Sequence, residues 1–104
     1  MSQKSIGRYY EQKAAGAPAD TKDFNIPANK TVMLKAFDFS CPAGNKSAVI
    51  IKLDGNVIAA AQCCKFSSIP DEEVEGPATL TIELNNSQGV NAALLGATVY
   101  YEVL

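Results

Sequence analysis

The sequence contains no histidine and no tryptophan, and it has only three cysteines among its 104 residues. Without histidine the chain lacks the usual general base, the Ser-His-Asp and Cys-His catalytic systems, and the commonest zinc ligand. Three cysteines cannot form a four-cysteine zinc site, and the neighbours Cys63 and Cys64 would point to opposite faces of a strand. We therefore predict a protein that is not an enzyme, has no metal site and no cofactor, and keeps its thiols reduced.

Long apolar runs and an excess of basic charge are also missing. No segment approaches the roughly 18 apolar residues of a membrane helix, and no apolar run follows Lys4 and Arg8 as it would in a signal peptide. The net charge is −2 at pH 7, which does not favour binding to nucleic acid. We expect synthesis in the cytoplasm and neither a membrane nor a nucleic acid as partner.

The chain does contain apolar residues that alternate with polar ones. A single domain of 104 residues with 47% hydrophobic residues is typical of globular proteins. From Asp23 onward the alternation has the period of two that strands show. It predicts about seven strands, near residues 24–26, 32–39, 49–53, 56–62, 63–69, 79–84 and 95–103. The pattern predicts an all-β fold, a single antiparallel β-sandwich or small barrel.

Three local features sharpen this prediction. Asp54-Gly55 stands between two apolar alternations, which predicts a type I′ hairpin turn. The apolar positions change face near residues 35–37, so we expect a β-bulge there. The small residues 59–61 predict close approach of another layer or subunit.

The first 21 residues show no sustained period. Four residues, Ile6, Tyr9, Tyr10 and Lys13, have spacings that suit one side of a short helix, and the small residues at 14–19 would end it. Residues 1–30 hold five basic and three acidic side chains, whereas residues 31–104 hold four and eight. We predict an extended N-terminal arm and linker at 1–21, followed by a sandwich at 22–104.

We expect the arm to bind a partner through Ile6, Arg8, Tyr9 and Tyr10. Tyrosine offers a large contact area at low entropic cost, and aromatic residues and arginine are enriched among the residues that dominate interfaces. The alternative is that the two tyrosines fold back onto the chain's own domain.

A second candidate is the acidic run at 71–75. Asp71, Glu73 and Glu75 would share one face of an extended segment and could contact a cation or a basic partner. The alternative is a solvated connection between Pro70 and Pro77, whose charge keeps an exposed edge from pairing.

Three segments carry a resemblance to a known group of proteins. They are residues 24–32 (FNIPANKTV), 84–87 (LNNS) and 95–103 (LGATVYYEV). Across 23–104 the chain resembles small β-sandwich virion proteins of tailed bacteriophages. The resemblance implies a jelly-roll-like sandwich and a structural role as a capsid decoration or cement protein, or as a head–tail component. It also implies location in the virion, contact with the major capsid or another virion protein, and a homo-oligomer, with a trimer favoured. The alternative function is a carbohydrate- or receptor-binding module.

Overall fold

The computed structural model describes residues 3–42, 45–62, 65–67 and 72–104, with only the backbone for 3–6, 62, 65–67 and 72. Every regular element in these ranges is a strand. The strands are β1 (Gln3–Lys13), β2 (Asp20–Ile26), β3 (Thr31–Ser40), β4 (Ala48–Leu53), β5 (Asn56–Gln62), β6 (Lys65–Ser67), β7 (Glu72–Glu75), β8 (Ala78–Asn85) and β9 (Ala93–Val103). The prediction of an all-β fold is confirmed.

The strands form two antiparallel sheets with the orders β1-β9-β3-β7 and β2-β8-β4-β5-β6. The chain pairs as if one long hairpin had been folded over: β1 pairs with β9, β2 with β8, β3 with β7, and β4 with β5. Two further pairings, β3 with β9 and β4 with β8, join these hairpins within each sheet. This nested order is that of a jelly-roll sandwich.

The core lies between the sheets and is built from alternate residues of the central strands. In β8 the inward residues Ala78, Leu80, Ile82 and Leu84 are all buried, and the residues between them are half-exposed. Strand β9 contributes Leu95, Ala97 and Val99 from the facing sheet, and all three are fully buried. Burial of apolar area at about 25 cal/mol per Å² makes this alternation the main determinant of which face turns inward.

Each of the three local predictions is confirmed. Asp54 and Gly55 have φ angles of 49° and 85°, the two positive values that a type I′ turn requires. The pairing of β3 with β9 shifts between Leu34 and Ala36, so a bulge moves the inward positions there. In β5, Ala59 and Ala61 face the core with 1% exposure each.

The N-terminal segment differs from the prediction. It is extended as expected, but Gln3–Lys13 is neither a helix nor a separate arm, because all 11 residues pair with β9. The inward face of β1 has no aliphatic residue among its described side chains. The sequence of this segment therefore lacks the alternation of apolar and polar residues that marks a strand. The ring of Phe24 packs against Gly7, at 3.6 Å from where a Cβ atom would lie, which is an ordinary van der Waals distance.

The acidic run also differs from the prediction. Residues Glu72–Glu75 form strand β7, which pairs with Thr31–Leu34 of β3, so this part is not a solvated connection. Val74 is buried and anchors the strand to the core, and two charges flank it. With β1 and β7 added, the described residues hold nine strands instead of about seven. The predicted strand at 63–69 is represented by β6, and Cys63 and Cys64 lie outside the described residues.

A buried amide cluster closes the end of the sandwich where β1 ends. Asn86 is fully buried, and its Nδ2 donates to the carbonyls of Lys13, Ala14 and Asn91 at 3.3, 3.0 and 3.1 Å. Its Oδ1 accepts from Nδ2 of Asn45 at 3.1 Å. These bonds tie the β1–β2, β3–β4 and β8–β9 loops together, so the end of β1 is fixed to the rest of the fold.

Candidate functional site

The predicted contact residues lie at the two opposite edges of the four-stranded sheet. Arg8, Tyr9 and Tyr10 belong to β1 at one edge, whereas Glu73 and Glu75 belong to β7 at the other. The backbone of Ile6 pairs with Tyr100, and its side chain is among those not described. Asp71 lies outside the described residues. The sheet therefore separates the two predicted groups and does not combine them into one site.

Arg8 and Tyr10 lie together on the outer face of β1. The guanidinium carbon of Arg8 is 4.8 Å from the centroid of the Tyr10 ring, a cation–π contact. The ring covers Gly96 of β9, where an added Cβ would come within 2.2 Å of Tyr10 Cδ2. Thr98 Oγ1 donates to the Tyr10 hydroxyl at 3.2 Å. Gly96 inside a strand is the sequence signal that could have indicated this aromatic cover.

Tyr9 faces the interior and packs against the core, so the two tyrosines do not form one anchor. Tyr9 therefore packs on the chain's own domain, which was the alternative to a role in partner binding. Its hydroxyl donates to Glu11 Oε2 at 3.2 Å. Burial raises the pKa of Tyr9 above its ordinary value, and the nearby charge of Glu11 raises it further. The Tyr9 hydroxyl therefore gives up its proton only at a higher pH than an ordinary tyrosine does.

Tyr9, Glu11, Lys13 and Asp20 form a polar seam between the β1 and β2 edges. Lys13 Nζ lies 3.0 Å from Glu11 Oε2 and also forms an ion pair with Asp20 of the other sheet. The Lys13 side chain is only 11% exposed, and a cation so buried needs such partners. The hydrogen bond from Lys13 lowers the pKa of Glu11.

Sequence reasoning missed the seam. Glu11 and Lys13 follow Tyr9 at intervals of two, which is the one signal that could have placed all three on the same face of a strand.

On β7, Glu73 and Glu75 are exposed on the outer face because Val74 between them points inward. They lie opposite Met33 and Thr31 of β3. Within the ranges that the structure describes, no group of three acidic, cysteine or histidine side chains could hold a metal ion. Asp71, the third member of the predicted acidic face, lies outside these ranges, so the cation alternative stays a prediction.

Both candidate regions are thus exposed strand surfaces and not clefts. No family model matches the chain, and the search of curated proteins finds no match to its sequence. In the described part of the chain no helix is long and apolar enough to cross a membrane. The features that bear on function are therefore the topology and these two edges.

Proposed function

We propose that the chain is a non-enzymatic structural subunit of a virus particle, of the kind that decorates or completes the head of a tailed bacteriophage. The observation that carries the proposal is the nested strand order of the two sheets. Jelly rolls of this order are the architecture of many viral capsid domains. The lack of histidine, which removes the commonest catalytic side chain, is consistent with this role.

The docking surface that we propose is the outer face of β1, which we place against the major capsid protein or another virion protein. Arg8 is exposed there and stacks on Tyr10, which Thr98 and Gly96 hold in place. An arginine supported by an aromatic ring loses little freedom on binding, and both residue types are enriched among residues that dominate interface energy. The contact is therefore a fixed surface and not a flexible arm.

Co-sedimentation with assembled heads that lack this chain tests the proposal. We expect the wild-type protein to sediment with the heads, and Arg8→Ala to weaken binding about tenfold, as loss of a central arginine does at interfaces. Lys30→Ala is the matched control because Lys30 is also an exposed cation but lies in the turn between β2 and β3. Failure of the wild-type protein to bind any head or tail assembly would contradict the proposal.

The second candidate function is a carbohydrate- or receptor-binding module. It is favoured by Tyr100, which is 39% exposed on the same outer face as Tyr10, and by the occurrence of jelly rolls among lectins. Exposed aromatic rings can stack on sugars, and Tyr100→Ala would then abolish binding to glycans. Retained binding to heads by Tyr100→Ala, with no glycan bound by the wild type, favours the structural role.

A further inference from the structure

The four-stranded sheet ends in two edges of different charge. Among the described side chains, the exposed charged residue on the outer face of β1 is Arg8, and those on the outer face of β7 are Glu73 and Glu75. Among the described residues, no strand pairs with the outer side of β1 or of β7. Open strand edges carry unpaired backbone donors and acceptors and are templates for another chain.

The strand directions allow one edge to continue the other. Strand β1 is antiparallel to β9, β9 to β3, and β3 to β7, so β7 runs opposite to β1. A second copy, rotated about an axis parallel to the strands, presents its β1 in the same direction as the first β1. Its β1 is then antiparallel to the β7 of the first copy, and the sheet continues without a change of pairing type.

The faces of the two edges also match. Val74 on β7 and Tyr9 on β1 both point into their own cores, so the alternate residues of both strands point outward. When the four-stranded sheets of two copies are joined in this way, their outer faces lie on the same side of the joined sheet. Arg8 of one copy then approaches Glu73 or Glu75 of the next. Within one chain, the side-chain contact described for Arg8 is the cation–π contact with Tyr10.

We propose that copies of this chain associate head to tail, with the β1 edge of one copy against the β7 edge of the next. Both complementary surfaces occur on the same chain, so the occupant of each edge is a second copy. Such a heterologous contact closes into a ring when the rotation between copies divides a full turn. This inference rests on the proposed structural role, because a virus particle would hold many copies of the chain close together.

The contact is expected to be weak in free solution. Strand β7 has only four residues, and stable interfaces bury about 1,200–2,000 Å². Sedimentation velocity over a wide range of protein concentrations is therefore the measurement, at low salt and at about 0.5 M salt, where screening removes much of the attraction. We expect the average mass of the wild-type protein to rise with concentration, and less so at high salt.

The decisive comparison is between variants with the charge reversed at one edge and a variant with the charges reversed at both edges. Arg8→Glu, and separately Glu73→Lys with Glu75→Lys, should each weaken association about fivefold or more, because attraction becomes repulsion. All three changes in one chain should restore it. Lys46→Glu and Asp23→Lys are the controls, since Lys46 is exposed in the β3–β4 loop and Asp23 is exposed on β2 of the other sheet.

Three results would overturn the inference: a monomer at every concentration, no repair in the triple variant, or an equal loss in the controls. A loss caused by Arg8→Glu with no effect at β7 would indicate β1-to-β1 pairing instead and would also overturn it. Binding to heads without self-association leaves the proposed function standing and removes only the head-to-tail arrangement.

Discussion

Strand β8 has a neighbour on both sides, whereas strand β1 has one. Strand β8 lies between β2 and β4 and turns four aliphatic residues into the core. Among the described residues, strand β1 pairs only with β9, and its inward face carries Gly7, Tyr9 and Lys13. The core side of β8 is thus stabilised by apolar burial, and that of β1 by an aromatic contact and a polar seam. Such an edge strand has a second side that no described strand covers.

The largest expected difference between the two strands is at their inward positions. Ile82 of β8 is fully buried, so Ile82→Ala should lower the free energy of unfolding by about 2–5 kcal/mol. Tyr9 of β1 is only half-buried, and Tyr9→Ala should cost about 1 kcal/mol. Urea unfolding of both variants measures this difference. Equal losses would show that β1 is as deeply integrated as β8.

The next effect concerns Asn86, which follows β8 and holds the end of β1. Asn86→Leu keeps a similar volume but removes the buried amide that donates to the carbonyls of Lys13, Ala14 and Asn91 and accepts from Asn45. We expect a loss of about 2–3 kcal/mol, since each unsatisfied buried group costs about 1–3 kcal/mol. Ser87→Ala, next in sequence but exposed, is the control. A change within 0.5 kcal/mol, about the effect of an ordinary surface substitution, would contradict the structural importance of the amide cluster.

A smaller effect is expected at the turn that contacts the start of β8. Gly55 has φ of 85°, and Asp54 bonds to Thr79 through its backbone N–H and its carboxylate, both at 2.9 Å. Gly55→Val places a β-branched residue at positive φ and should cost about 1 kcal/mol or more. Open space surrounds Gly55, so any loss reflects backbone strain and not a clash. An unchanged midpoint of thermal unfolding would rule out the I′ turn.

The smallest effect is the pH dependence of the polar seam on β1. The folded state lowers the pKa of Glu11, chiefly through Lys13, so the carboxylate contributes stability above its ordinary pKa. That contribution is lost as the pH falls through the lowered value. The stability difference between wild type and Glu11→Gln should therefore be present at neutral pH and disappear in acid. A difference that stays constant from pH 7 to strongly acidic pH would contradict the seam.

The sequence was informative wherever burial followed a simple period. The alternation in β8 and β9, the Asp54-Gly55 turn and the bulge in β3 were all predicted, because each depends on local chemistry. Strand β1 was not predicted, because its inward glycine is complemented by Phe24, which is distant in sequence. Strand β7 was missed because only Val74 marks its buried side.

The candidate contact residues were predicted as types but not as an arrangement. Arginine beside tyrosine suggested an interaction surface, yet only the pairing of β1 with β9 separates Tyr9 from Tyr10. The placement of Glu73 and Glu75 at the opposite edge depends on the order of the whole sheet. Such an order arises from pairing between distant parts of the chain, so no local pattern specifies it.

Hydrogen exchange of the backbone amides, followed by NMR in dilute monomeric protein, tests most directly whether β1 is an edge strand with one open side. We predict slow exchange at all residues of 80–84 in β8, because β2 and β4 flank them. Along Gln3–Lys13 we predict slow exchange at every second residue, since alternate amides of an antiparallel edge strand point away from β9. Rapid exchange throughout Gln3–Lys13 would contradict this account and would support the separate N-terminal arm that the sequence predicted.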